Sequence, residues 1–272
     1  MMRALYTAAT GMIAEQTNVD TIANNLSNVN TNGYKTERTE FKSLLYQTLQ
    51  TKTTTANGEN KPVGAQVGLG TRVAATTSMY TQGSLLDSES PTDFAIEGNG
   101  FFAIRGEDGQ TYYTRNGSFT WSKTADGGTI LTDHDGCPVL DSQGNEIAVP
   151  EGISSESMVF GQDGSISYRD RTGTVQPLNQ TFGIYQFNNP AGLDKLSSSR
   201  LGVTAASGNA MLEGANPGLT TSKVCSGYLE GSNVQVADEM VNMIVAQRAY
   251  ELNSKAITTA DSMLDTANNL KR

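Results

Sequence analysis

All seven prolines of this chain, and 24 of its 28 glycines, lie between residues 58 and 218. The ends keep only Gly11 and Gly33 on one side and Gly227 and Gly231 on the other. Both residue types disfavour helix interiors, glycine through backbone entropy and proline through its missing N–H. The segregation therefore predicts an α+β chain: a helix at each end and a β-rich middle.

The ends carry the periodicity that helices need. Leu5, Met12, Val19 and Leu26 recur every seven residues, and Ile22 and Val29 sit three positions after Val19 and Leu26. Positions with that spacing face one way on a helix. A helix over Leu5–Val29 would run roughly 37 Å and stop near Asn30, where Asn32-Gly33 tolerates positive φ. At the far end Ser232 stands three before Gln235, the pattern of a capping box, and Asp238 and Glu239 suit a helix N-terminus. No glycine or proline follows up to Leu270. Ala249, Ala256, Met263 and Leu270 recur at seven, Val245 and Leu252 lie four before the first two, and Val241 widens the stripe. Two long helices, each apolar along one stripe, predict a coiled coil between the ends. Their seam would use Leu5, Met12, Val19, Ile22, Leu26 and Val29 against Val241, Val245, Leu252, Ala256, Met263 and Leu270.

The expected boundaries are a helix at 1–34, an extended linker at 35–70, an outer β domain at 71–226 and a helix at 227–272. Between Phe41 and Leu49 a short helix and an extended segment both fit. From Gln50 to Lys61 the chain is polar and reads as a linker or exposed loop. Strand-like runs follow at Arg72–Tyr80, Asp93–Ile96, Phe101–Arg105, Thr111–Thr114, Ser118–Trp121, Thr129–Thr132, Ser165–Tyr168 and Phe182–Phe187. Asp-Gly or Asn-Gly pairs at 108, 116, 126, 135 and 163 punctuate them, as tight hairpins require. Short strands with dense turns imply an antiparallel arrangement.

Machinery for chemistry is hard to find. His134 is the single histidine, and Asp133-His134-Asp135-Gly136 reads as a turn before it reads as a metal site or general base. Gly64–Gly70 lacks the Lys-Ser/Thr of a phosphate loop and reads as flexible or closely packed backbone. Cys137 and Cys225 form no metal-binding pattern, and a disulfide between them stays open. No cofactor is implied. The net charge of −9 speaks against nucleic acid, and Lys35, Arg38 and Lys42, interleaved with Glu37 and Glu40, read as a solvated helix face. No apolar run is long enough to insert in a membrane, and Thr7, Thr10, Glu15 and Gln16 break any signal-peptide core. Eight asparagines sit in the two helical ends, where Asn is a mediocre helix former. Solvated faces and amide bonds between packed helices explain them equally.

Several stretches are familiar. Asn24-Asn25-Leu26-Ser27-Asn28-Val29-Asn30-Thr31-Asn32-Gly33-Tyr34-Lys35 resembles the N-terminal signature of the bacterial flagellar axial proteins, the rod and hook family. Ser232-Asn233-Val234, then Glu239-Met240-Val241-Asn242-Met243-Ile244 and Gln247-Arg248-Ala249-Tyr250-Glu251, resemble its C-terminal signature. Asp93–Phe102 and Tyr113–Phe119 are similar to its β domain. Met2–Met12, Leu45–Leu49 and Val67–Arg72 have the flavour of its distal-rod branch, while proximal-rod and hook members share most other signatures.

The resemblance implies a structural subunit of the basal-body rod, without catalysis, that self-assembles helically around a channel. It marks Asn24, Asn25, Asn28, Asn30, Gly33, Tyr34, Asn233, Gln247, Arg248 and Tyr250 as signature positions. Implied partners are further copies, other rod subunits and the hook protein at its ends, ring proteins around it, and the flagellar export apparatus. Export would proceed without a cleaved signal, and the rod would cross the periplasm and cell wall. The rival from another class is a secreted β-rich enzyme or adhesin, which leaves the paired terminal stripes unexplained.

Overall fold

A computed structural model describes residues 2–50, 64–124, 128–150, 153–154, 157–170, 172–216 and 218–270. The polar run expected as a linker lies outside these beyond Gln50, as does the Asp126-Gly127 turn. Two compact units divide the chain: a helical unit of Met1–Ser27, Glu37–Ser78 and Gln235–Arg272, and a β unit of Asn28–Thr36 and Met79–Val234. The divisions differ from those expected at 70 and 226. Residues 71–78 go with the helices, because they pair with a strand at 37–43, and 227–234 go with the β unit.

In the helical unit, α1 spans Met2–Ser27 and α2 spans Val236–Asn269. The segment left open at Phe41–Leu49 is extended: β1 (Glu37–Ser43) and β2 (Tyr46–Gln50) run out, and β3 (Ala65–Gly68) and β4 (Thr71–Ser78) return. β1 pairs antiparallel with β4 from Glu37↔Ser78 to Ser43↔Thr71, with a bulge at Glu40/Phe41, and β2 pairs with β3. Gly70 has φ +113°, and any side chain there would strike Thr10 on α1. Left-handed backbone and close packing, not phosphate, explain this glycine.

α2 starts differently from the expectation. Its N-cap is Gln235, with no side-chain capping bond. Ser232 lies four residues before the helix, and its Oγ accepts from the Val234 N–H at 3.3 Å. The chain is still extended there because Asn233 is committed elsewhere, so Ser232 cannot reach an orphan helix N–H.

The β unit is built from small antiparallel sheets. The largest has six strands in the order Asp194–Lys195, Leu201–Gly202, Thr111–Thr114, Phe101–Arg105, Ile184–Gln186 and Met211–Leu212. Three-stranded sheets are formed by Thr120–Lys123, Thr129–Thr132 and Ala148–Val149, and by Met158–Phe160, Ser165–Arg169 and Val175–Thr181. Phe94–Glu97 pairs with Lys223–Ser226, and Leu85–Asp87 with Tyr228–Glu230.

Strand Phe101–Arg105 organises the core. Side chains alternate across a strand, so Phe102 and Ile104 enter one cluster with Phe94, Phe119, Leu131, Val139 and Phe182. Phe101 and Ala103 enter a second with Tyr113, Leu140 and Phe187. Phe94 meets Phe160 edge-on at 4.6 Å and 76°, a favoured aromatic geometry.

The expected turns form at Asp108-Gly109, Asp135-Gly136 and Asp163-Gly164, whose glycines have φ between +74° and +80°. Gly117 is there for another reason: a Cβ would collide with the Phe94 carbonyl. His134 lies exposed in its turn, while Asp135 is paired with Arg200. Cys137 and Cys225 are both free thiols. Among the described residues no cluster of His, Cys, Asp and Glu has the makings of a metal site.

Candidate assembly surface

α1 and α2 run antiparallel. Asn25 Nδ2 donates to Glu239 Oε2 at 3.2 Å, and further along Gly11 faces Asn253, whose Nδ2 a Cβ at Gly11 would meet at 2.8 Å. On α1, Ile22 is buried and Leu5, Met12, Val19 and Leu26 are half-buried. Val29 lies past the helix end, in the β unit.

On α2 the face toward α1 is not the stripe expected from spacing. Glu239, Ala246 and Ala260 are buried and Asn253 is half-buried, again at sevenfold spacing. Val241 is 58% exposed, Val245 62%, Leu252 66%, Met263 53% and Leu270 83%, and Ala256 is exposed too. As contacts with α1, these six positions are corrected. Small and polar side chains let the two backbones approach closely. An apolar stripe marks a face that needs a partner without naming which partner.

Further apolar surface lies bare on the strands of the helical unit. Phe41, Leu45, Tyr46, Leu49 and Val67 are all exposed, Leu45 by 84%. Paired two-stranded ribbons have no sheet face to cover them and are marginal on their own. A groove of about 390 Å³ between the helices is lined by Gln16, Val19, Gln247, Tyr250 and Glu251. It gathers the signature residues Gln247 and Tyr250, while Arg248 bonds Glu251 at 2.8 Å on the surface.

The other signature residues sort by position. Asn25 is buried and clamps the backbone of β1: its Oδ1 accepts from the Glu37 N–H at 2.9 Å and its Nδ2 donates to the Glu37 carbonyl at 2.9 Å. Asn24 and Asn30 are exposed, and Asn28 accepts from the Thr31 hydroxyl at 3.1 Å in the turn after α1. Within the β unit, Asn233 Oδ1 accepts from Thr36 N and Oγ1, both at 2.7 Å, and its Nδ2 donates to the Met79 carbonyl and Thr81 Oγ1, both at 2.8 Å. Tyr34 offers its carbonyl to the Asn233 N–H at 3.5 Å. Gly33 has φ +70°, its N–H reaches the Glu230 carbonyl at 2.8 Å, and a Cβ would meet the Arg115 backbone at 2.7 Å. Only glycine fits there.

Beside this lies a buried charge cluster that sequence reasoning missed. Glu230, 1% exposed, accepts from Lys35 Nζ at 2.6 Å, Arg115 NH1 at 3.0 Å and the Gly83 N–H at 2.9 Å. Lys35 also donates to the Thr81 carbonyl at 2.7 Å, and Arg115 to the Gly98 carbonyl at 2.6 Å. Burial lowers the pKa of Lys35 and of Arg115 against the opposing pull of Glu230. Lys35 is thus no part of a solvated helix face, and Arg38 and Lys42 lie on a strand. Alternating charges along a strand and along a helix look alike in sequence. What could have flagged Lys35 is its place directly after the Asn-Gly-Tyr turn.

Residues 5–35 match the family described as "Flagella basal body rod protein", 95–168 the "Flagellar hook protein FlgE/F/G D1 domain", and 226–270 the "Flagellar basal body rod FlgEFG protein C-terminal". The flagellar basal-body rod protein FlgG of Borreliella burgdorferi is 46% identical over 273 residues, covering 100% of both chains. That of Agrobacterium fabrum is 41% identical over 99% of this chain and 100% of its own, and that of Bacillus subtilis 38% over 100% of both. Matched from end to end by such proteins, the chain belongs to the flagellar basal-body rod proteins, in their distal-rod FlgG branch.

Proposed function

We propose that this structural subunit of the distal rod polymerises helically into a hollow, stiff drive shaft that carries torque from motor to hook. As a rod-family protein it resides in the flagellar basal body, assembles with other basal-body components and is not an enzyme. The observation that carries the finer reading is the bare apolar stripe Val241, Val245, Leu252, Met263 and Leu270 on α2. Burying apolar surface at about 25 cal/mol per Å² drives association as readily as folding. A contact between unlike faces of successive copies need not close, and so grows a filament.

In the polymer the two helices act as a coiled coil toward the axis, with the α2 stripe as the seam to neighbouring copies and β1–β4 bracing adjacent subunits. Other rod subunits and hook protein meet its ends, and ring proteins surround it where it crosses the periplasm and cell wall. The subunit reaches that place through the flagellar export apparatus. Both helical ends gain much of their order on polymerisation, as coupled folding and binding allows. Sedimentation and electron micrographs of concentrated Leu252→Asp protein test the seam: loss of filaments with an intact β unit is expected, and filaments of normal form overturn it. Limited proteolysis tests the ordering; equal protection of both ends in monomer and polymer would sink it.

A further inference from the structure

The chain passes between its two units four times, at 27/28, 36/37, 78/79 and 234/235. Inside the β unit, the segments that make these passages converge on two residues. Asn233 holds Thr36 and Met79, the β-unit residues at the second and third passages, and itself stands one residue from Val234 at the fourth. Glu230 holds Gly33, five residues on from the first passage, through its carbonyl, and Lys35 and Gly83 through its carboxylate. The Met79 N–H closes the circuit on the Thr36 carbonyl at 2.9 Å. Gly83 belongs to the same design, since a Cβ there would collide with the Gly231 carbonyl.

We infer that Glu230 and Asn233 are the positioning residues of this subunit, acting as one cooperative clasp that fixes where every passage leaves the β unit. The clasp touches the aromatic core where the Arg115 guanidinium lies over the Phe101 ring at 5.1 Å, but its hydrogen bonds join none of the core side chains, and it shuts only when residues 33–36, 79–83, 115 and 230–233 are all present. No part holds alone: a buried carboxylate without its two cations, or cations without the carboxylate, is strongly unfavourable. Polar bonds in a buried network support one another; the Lys35–Glu230–Arg115 part of the clasp is buried, and the Asn233 amide bonds extend it toward solvent. The four points at which the chain leaves the β unit are therefore set together, by the C-terminal stretch of that unit. Nothing here depends on how copies assemble.

Amide hydrogen exchange on the full-length soluble subunit tests this, using Glu230→Gln and Asn233→Ala as separate variants. The Thr36 N–H is bonded to the Asn233 side chain and the Gly83 N–H to the Glu230 carboxylate, whereas the Gly33 N–H is bonded to the Glu230 backbone carbonyl, which the substitution leaves in place. A cooperative clasp predicts that either variant speeds exchange at Gly33, Thr36, Met79 and Gly83 together, by about tenfold or more, while residues 101–105 keep their protection. Acceleration confined to the amides bonded to the replaced side chain overturns the cooperativity. Loss of protection at 101–105 in both variants overturns the separateness of the clasp from the core. Should Glu230→Gln alone lose the whole fold, Asn233→Ala decides, because the Gly83 amide has no bond to Asn233.

Discussion

The two units bury different things. The β unit hides Phe94, Phe101, Phe102 and Phe119 almost completely, and its strand Phe101–Arg105 is covered on both faces. The helical unit's buried apolar residues are Ala8, Ala14, Ile22, Ala246 and Ala260, joined by Asn25, Thr21 and Glu239. Apart from Ile22, its large apolar side chains among the described residues are half-buried or exposed. At about 25 cal/mol per Å² of apolar surface, the β unit has a core of its own and the helical unit leaves much of its gain unrealised. One unit is built to fold, and the other is built to be completed.

Breaking the β unit should have the largest effect. Phe102→Ala removes a fully buried ring and should destabilise that unit by about 3–5 kcal/mol, read as a lower urea midpoint. Lys35→Met leaves the Glu230 carboxylate with one of its two cations; a cost of about 3 kcal/mol should appear as an earlier thermal transition.

The helical unit should respond to polar changes more than to apolar ones. Asn25→Ala strips both backbone groups of Glu37 of their amide partner and should cost about 2 kcal/mol, with faster exchange along β1. Leu252→Asp, on the bare stripe, should shift the stability of the lone subunit by no more than about 0.5 kcal/mol. A large loss in the monomer would mean the stripe is already used within one chain.

A pH titration tests the β unit by itself. Burial, helped by Tyr185, pushes the Tyr113 hydroxyl up from 10.0 to about 12. Its folded pKa exceeds its unfolded one, so above pH 10 the unfolded chain binds fewer protons than the fold. The stabilisation is complete below pH 10 and is lost as pH climbs to about 12. Tyr113→Phe should flatten that alkaline limb in denaturation curves taken at successive pH values; an unchanged limb would assign it elsewhere.

Sequence alone determined the α+β division, because proline and glycine report on backbone conformation directly. It also gave the strands at Phe101–Arg105, Thr111–Thr114 and Thr129–Thr132 to the residue, because alternation and turn glycines are local. Tertiary structure decided which face of α2 meets α1, since Glu239, Ala246, Asn253 and Ala260 repeat at the same spacing as the bulkier stripe. Only the fit of Gly11 against Asn253 and of Asn25 against Glu239 separates the two. It decided as well that Lys35, Arg115 and Glu230 meet although up to 195 positions apart, because the partner of a buried charge is set by geometry that no local pattern encodes.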